Sequence, residues 1–205
     1  MSVKPFASAT ERNSQPILDV IRHEFRACHV ILEIGSGTGQ HAVAFGAELK
    51  QLTWQTSDRD ENHAGILAWL DAAALSNIRE PISLDVMTAK LPPASFDGVF
   101  SANTAHIMSF AAVKKMFALV GSTLKPAGVF CLYGPFRQNR EFSTPSNAEF
   151  HQSLQNRDLA MGIRHLEALD ALANTGNLLR TRLYAMPANN LLAVWQKSDP
   201  GGSND

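Results

Sequence analysis

Three glycines at alternate positions, Gly35, Gly37 and Gly39, follow an apolar run that carries one carboxylate, Val30-Ile31-Leu32-Glu33-Ile34. Glycines so spaced let the backbone approach a ligand closely and turn through positive φ. A helix opening at His41 would aim free N–H groups at whatever lies over that turn. Farther along, Asp58 and Asp85 each close a short strand-like stretch, and Asn103-Thr104-Ala105-His106-Ile107 closes another. A carboxylate is an acceptor-only group suited to paired sugar hydroxyls. An imidazole can serve as a base near neutral pH. The chemistry within reach is capture of a nucleotide-like cofactor, with a second reactant presented beside it. Plainer roles stay open for each residue. Asp58 could cap a helix in Ser57-Asp58-Arg59-Asp60, unless Asp60 or Asn62 does so. Asp85 could be a surface loop aspartate, Glu33 could sit in an internal salt bridge, and His106 could pack beside a helix.

These groups meet only if the ends of several strands converge. An apolar run bounded by glycines reads as a strand covered on both faces, which places the first strand at residues 30–34. Ile17, Leu18, Ile21 and Phe25 fall at helical spacing, so a helix over 14–25 is expected, capped by Ser14 or Asn13. Further helices are expected at 41–48, 62–74 and 111–124, around 148–155 and over 164–175. Strands are expected at 53–57, 82–84, 96–101 and 129–133, the last preceded by a turn at Lys125-Pro126-Ala127-Gly128. Two closing strands, 178–185 and 191–196, are joined by Met186-Pro187-Ala188-Asn189-Asn190 as a hairpin. Alternating strands and helices imply a mostly parallel sheet with right-handed crossovers and an antiparallel strand at one edge. In such sheets ligands bind outside the carboxyl ends of the strands, near the switch in strand order. That rule gathers residues 33–39, Asp58, Asp85 and residues 103–106 at one crevice.

Bulk properties narrow the classes. A chain of 205 residues suits one domain with a sizeable core. Hydrophobic residues at 45% and charged residues at 18% are ordinary for a globular protein. A formal net charge of −1 gives no bulk attraction to nucleic acid or an anionic membrane. No apolar run approaches a membrane span, and the polar N-terminal stretch lacks a signal-peptide core. Cys28 and Cys131 fall in or beside expected buried strands, as free thiols do, and a cytoplasmic setting is expected. Seven scattered histidines without ligand spacing point to no metal site.

The spacing of the turn separates two cofactor classes. A dinucleotide fingerprint needs G-x-G-x-x-G, and Gln40 stands where its last glycine would be. The observed E-x-G-x-G-x-G resembles motif I of the class I S-adenosylmethionine (SAM)-dependent methyltransferases. The stretch from Phe96 to Ile107 is similar to their motif IV. This resemblance implies a Rossmann-like α/β fold: a seven-stranded, mostly parallel sheet ordered 3-2-1-4-5-7-6, with an antiparallel C-terminal hairpin strand and helices on both faces. It implies SAM as cofactor and S-adenosylhomocysteine as product, held by Glu33, Gly35, Ser36, Gly37, Gly39, Asp58, Asp85, Val86 and Asn103. Asp58 would take the ribose, Asp85 the adenine amino group and the Val86 N–H the ring, while Glu33 would reach the cofactor's amino group. Asn103, Thr104, His106 and Ile107, at the end facing the transferred methyl, would be candidate substrate-facing groups, with His106 the candidate general base.

A narrower resemblance rests on Ala9-Thr10-Glu11-Arg12-Asn13-Ser14-Gln15-Pro16, Asn103-Thr104-Ala105-His106-Ile107, Tyr133-Gly134-Pro135-Phe136, Thr144-Pro145-Ser146-Asn147, Gly162-Ile163-Arg164 and Met186-Pro187-Ala188-Asn189-Asn190. Together these are similar to a poorly characterised methyltransferase-like family, long labelled a domain of unknown function, over residues 5–196. His165 stands where that family tends to carry an acid. Residues 1–197 are expected to form a single domain. Within it, 1–27 would be an N-terminal lid and helix and 134–163 a substrate-side insertion; 198–205 would be a flexible tail. Arg12 would reach an anion of the cofactor, or else pair with Glu11 or Glu24. Tyr133, Phe136, Asn147, Phe150 and Arg164 are candidates to line the substrate side, with ordinary packing as the alternative for the aromatics. A small-molecule acceptor is expected, and no basic stripe interleaved with aromatics suggests nucleic acid. Two other readings stay open: a non-catalytic module that binds SAM or its product, and an NAD(P)-dependent oxidoreductase.

Overall fold

The computed structural model describes residues 4–139 and 141–199, so residues 200–205 of the expected tail lie outside the described residues. The chain runs α1 (Ser8–Glu24), β1 (Val30–Glu33), α2 (Gln40–Glu48), β2 (Thr53–Asp58), α3 (Asp60–Ala73), β3 (Ile78–Ser83), β4 (Phe96–Ala102), α4 (Phe110–Thr123) and β5 (Leu124–Gly134). It continues with β6 (Phe136–Arg137), α5 (Pro145–Arg157), β7 (Arg164–His165), α6 (Leu166–Thr175), β8 (Leu178–Met186), a short 3-10 turn (Pro187–Asn189) and β9 (Asn190–Lys197). Seven strands form one sheet in the order β3-β2-β1-β4-β5-β9-β8, and β6 and β7 form a small second sheet. Strands β1 to β5 pair in parallel, while β9 runs antiparallel to β5 and β8. Within the large sheet this is the 3-2-1-4-5-7-6 order expected above. The order reverses at β1, between β2 and β4, and there the carboxyl ends leave a crevice.

Successive residues of a strand point to opposite faces, and the two cores divide accordingly. Leu32, Val99, Phe130 and Leu132 join Val113, Phe117 and Leu169 on the face covered by α4 and α6. Ile31, Phe100 and Cys131 join Ile17, Ile21 and Phe45 on the face covered by α1 and α2. On that second face Phe45, Trp54 and Phe100 meet edge-on or tilted at 5.5–5.7 Å between ring centroids, the geometry aromatic quadrupoles favour.

Several boundaries differ from the sequence reading. Helix α1 opens at Ser8 rather than residue 14, so residues 9–13 are its first turns and Pro16 lies inside it. Ser14 does not cap: its hydroxyl donates back to the Thr10 carbonyl at 2.6 Å. Asn13 is buried, with Oδ1 2.7 Å from His41 Nε2 on α2. Neither Asp60 nor Asn62 caps α3, whose N-cap is Arg59 with no side-chain bond. Strand β3 begins at Ile78, four residues earlier than residue 82, and keeps Pro81 because an edge strand tolerates a missing donor. Residues 125–128, expected as a turn, form an irregular start to β5 in which Ala127 takes φ +60°. The first two residues of the expected helix 164–175 are instead β7, paired with β6.

The ends of the domain are joined. Glu24, its side chain fully buried, accepts from Arg182 Nε and Nη2, each at 2.7 Å, and from the Tyr184 hydroxyl at 2.5 Å. Burial pushes this carboxyl up, but the hydrogen bonds from Arg182, Tyr184 and His23 outweigh it and hold the pKa below the usual range. Helix α1 is thereby fixed to β8.

Candidate active site

The glycine turn is fastened to the end of β2. The Gly35 and Ser36 N–H groups both donate to the Ser57 carbonyl, at 3.0 and 2.9 Å, and Gly39 N–H donates to the Ser36 carbonyl at 2.9 Å. Gly37 sits at φ +58° and a Cβ built on it would meet nothing within 4 Å. Gly39 sits at φ +88°, and its Cβ would stand 3.1 Å from the Ile66 Cα and 3.2 Å from the Ile66 carbonyl oxygen. One glycine faces open space and the other lets α3 approach the turn.

That open space is a cavity of about 570 Å³ at the carboxyl ends of the strands, a size suited to small ligands and cofactors. Its walls are Ile34, Gly35 and Gly37 from the turn, Asp58, Arg59 and Asn62 from the β2–α3 junction, and Leu84, Asp85, Val86 and Met87 after β3. Ala102, Asn103, Thr104, Ile107, Met108 and Ala112 follow from β4 and the start of α4, with Met161 opposite. Asp58 is nearly buried and highly ordered by its donors. Its Oδ2 accepts from Gly37 N–H at 2.7 Å, and its Oδ1 from Arg59 N–H and Asn62 Nδ2, each at 2.8 Å. Asp85 is exposed and its Oδ1 accepts from Met87 N–H at 2.9 Å. Asn103 turns the chain at φ +59° while its N–H donates to the Tyr133 carbonyl at 2.9 Å.

Other residues singled out from the sequence stand off this wall. Gly39 packs under α3. Ser36 and Glu33 are buried behind the turn, where Glu33 Oε2 accepts from Ser36 Oγ at 2.9 Å and from Trp54 Nε1 at 3.0 Å. Those are hydrogen bonds, not the internal salt bridge considered above. Burial pushes the Glu33 carboxyl up to about 7, the two hydrogen bonds only partly offsetting it. Arg12 is exposed on α1. The His106 ring lies 5.5 Å from the Phe150 ring, and burial, with Arg164 nearby, pulls its pKa down to about 4. It is therefore neutral at pH 7 and a weak base. Tyr133 and Phe136 are core residues, each 2% exposed. Asn147 Nδ2 donates to Ser143 Oγ at 2.8 Å and to the Asn189 carbonyl at 3.2 Å.

Arg164 binds main chain. Its Nε donates to the Ala105 carbonyl at 3.0 Å, and its Nη2 to the carbonyls of Met108 and, at 2.7 Å, Ala160. Gly162 N–H adds a bond to the His106 carbonyl at 2.9 Å. The guanidinium so clasps the two segments that present Ile107, Met108 and Met161. Ile107 lies in the stretch expected to face the acceptor, whereas Met108, Met161, Asn62 and Met87 were less legible: Asn62 lies one helical turn past Asp58, but the methionines carry no spacing signal.

A second hollow of about 700 Å³ lies among Arg137, Asn139, His165, Glu167 and Ala168, where the β6–β7 pair meets the start of α6. Among the described residues no cluster of three or more His, Cys, Asp or Glu is placed to hold a metal, and no helix is long and apolar enough to cross a membrane.

Residues 4–197 match the family described as Protein of unknown function (DUF938). Similar solved structures include an O-methyltransferase family protein from Burkholderia thailandensis, with a TM-score of 0.81 at 15% identity over 94% of this chain and 58% of that one. Human N-acetylserotonin methyltransferase in complex with SAM gives 0.75 at 13% identity, over 93% of this chain and 53% of that one. The YcgJ protein from Bacillus subtilis gives 0.72 at 16% identity, over 90% of this chain and 99% of that one. The chain thus spans little more than half the length of the first two. At these identities the likeness is one of fold, the Rossmann-like methyltransferase fold.

Proposed function

We propose that this chain, which belongs to the DUF938 family of proteins of unknown function, binds SAM in the 570 Å³ cavity and transfers its methyl group to a small-molecule acceptor. The observation that carries this reading is Gly37, whose missing side chain opens onto the cavity while its N–H is held by Asp58. The residues present fit the cofactor. A carboxylate offers about four acceptor sites, and Asp58 has three donors, which leaves capacity for a ribose hydroxyl. Asp85 and Val86, beyond β3, would take the adenine edge, with Ile34 and Leu84 as its apolar support. Human N-acetylserotonin methyltransferase, similar in fold and bound to SAM, names a small molecule as its acceptor, and that supports the same class here.

When bound, the cofactor supplies a methyl group already activated on a sulfonium. The chain's own residues then have three tasks. Gly35, Gly37 and Asp58 orient the ligand along the turn, Asn103 and Thr104 bound the space where the acceptor must meet the methyl carbon, and Ile107, Met108 and Met161 form the apolar side of that space. Alignment for in-line attack supplies most of the acceleration in such a reaction. Residues 134–163 would serve the acceptor side.

The test is binding. S-adenosylhomocysteine at a hundred times its Kd should stabilise the protein by about 2.7 kcal/mol, raising the Tm, whereas NAD(H) and NADP(H) should leave it unchanged. A shift produced by the nicotinamide cofactors alone would overturn the reading in favour of an oxidoreductase. Tight binding without transfer of labelled methyl to any acceptor in a metabolite extract would favour a non-catalytic binding module.

A further inference from the structure

The two sides of the cavity differ in chemistry. Toward β2 and β3 stand Asp58, Asn62 and Asp85; toward α4 and the segment after α5 stand Ile107, Met108, Ala112 and Met161, with Met87 at the rim. Met87 and Ile107 are 48% and 47% exposed, so apolar surface lies open to solvent where the cavity opens. Exposed apolar surface beside a cavity marks a place for a ligand. Thioether side chains are unbranched and polarizable and adapt to varied shapes. The Arg164 clasp holds the two segments that carry this surface in one position.

Among the described residues that line the cavity, the ionisable side chains are Asp58, Arg59 and Asp85. Asp58 is engaged by three donors, Asp85 by the Met87 N–H, and Arg59 Nη2 pairs with Glu61 Oε1 at 2.8 Å. Two histidines lie near but off the wall: His63 Nε2 is 3.0 Å from the Asp58 carbonyl oxygen, and His106 packs on Phe150. The apolar side therefore presents no base to strip a proton from an acceptor, and the cation behind it, Arg164, is taken up by the carbonyls of Ala105, Met108 and Ala160 rather than offered to an anionic acceptor. An alcohol would need such a base, because its proton is held far above neutral pH. An aliphatic amine arrives protonated, and a carboxylate would bring a full charge onto an apolar surface. A thiol docks neutral, a small fraction of it ionises near pH 7 to a strong nucleophile, and the sulfonium it faces offsets the thiolate's charge.

Resting on the methyl-transfer reading above, we infer that the acceptor is an apolar thiol docked against Ile107, Met108 and Met161. Its proton leaves to water. The thiolate sulfur then forms a bond to the methyl carbon as the methyl–sulfonium bond breaks, and the electron pair of that bond stays on the departing sulfur, giving two neutral thioethers.

The experiment uses the full chain and begins with calorimetric binding of S-adenosylhomocysteine. Failure there removes the methyl-transfer reading itself. With binding established, labelled-methyl transfer is measured to phenylmethanethiol, benzyl alcohol and benzylamine. Transfer to the thiol alone is expected, with a rate that rises with pH and a midpoint that follows the thiol's own pKa across a series of apolar thiols. Comparable transfer to the alcohol or amine would overturn the assignment. So would a midpoint fixed by the protein whichever thiol is used, or no transfer to the thiol by protein that binds S-adenosylhomocysteine. A second readout is independent of turnover. Benzyl methyl sulfide should bind the S-adenosylhomocysteine-loaded protein, and Ile107→Asp should weaken that binding by about tenfold or more, leaving S-adenosylhomocysteine affinity intact. Because Ile107 is half exposed, that variant should fold. Unchanged sulfide affinity in it would place the acceptor elsewhere.

Discussion

Gly37 and Gly39 are two residues apart and should fail differently when given a side chain. Both have positive φ, which costs a branched residue about 1–2 kcal/mol. Gly37→Val has open space around its Cβ, so the free protein should lose only that strain, while the Tm shift from S-adenosylhomocysteine should disappear. Gly39→Val meets the α3 backbone in addition and should lower the Tm of the free protein by the larger amount. Melts of both variants with and without ligand check this, and retained ligand stabilisation in Gly37→Val would detach the turn from the site. Glu33 is also testable alone. Its pKa in the folded state, about 7, is above the ordinary 4.5, so the folded protein holds this proton more tightly than the unfolded chain. The associated stability is present below about pH 4.5 and is lost as pH rises through 7. Glu33→Gln should gain Tm relative to the parent protein as pH goes from 5 to 8, since the amide oxygen can still accept from Ser36 and Trp54. The acid and the glycines were legible because both are local signals. The partner of Glu33 was not, because Trp54 arrives from the neighbouring strand and its position depends on register. Asp58, Asp85, Val86 and Asn103 lie on the cavity wall because strand ends were legible, and strand ends decide which residues face a crevice.

Arg164 shows what an element-level reading misses. Gly162-Ile163-Arg164 stands out in the sequence, but the acceptors of the guanidinium are carbonyls 59 and 56 residues earlier, in the segment after β4. No local pattern announces a side chain that binds distant main chain. A planar guanidinium can satisfy three divergent acceptors where an ammonium on a flexible stem cannot hold the same geometry. Arg164→Lys should therefore speed amide exchange of Gly162, whose N–H is bonded to the His106 carbonyl, and should raise the acceptor KM more than it lowers S-adenosylhomocysteine affinity. Unaltered exchange at Gly162 would mean that the clasp does not order these segments. Helix α1 and strand β3 failed at their boundaries for related reasons. Pro16 and Pro81 weaken local patterns that packing against α2 and β2 restores.

At the scale of the molecule the strand order was legible, because alternation of strands with helices permits few topologies, whereas the electrostatics between distant elements were not. Two buried histidines, His41 and His106, have pKa values drawn down to about 4 by burial. Below about pH 6.5 the unfolded chain takes up protons that these folded residues refuse, so their contribution to stability falls as pH drops through 4, opposite in sign to that of Glu33. His41→Gln should flatten the acid side of a Tm-against-pH curve, and an unchanged slope would assign acid sensitivity elsewhere. The Glu24 cluster acts over the longest span. Arg182→Ala would strand a buried carboxylate and should cost about 2 kcal/mol, less than for a fully enclosed pair because Arg182 is partly exposed. That contact joins residues 158 positions apart, and on the same face Ile17 and Ile21 of α1 share a core with Leu192 and Val194 of β9. During synthesis α1 leaves the ribosome before β8 and β9, so its buried face has no complete partner until that hairpin follows. The nascent domain should therefore remain open to protease at α1 until β8 and β9 emerge, then close in one late step.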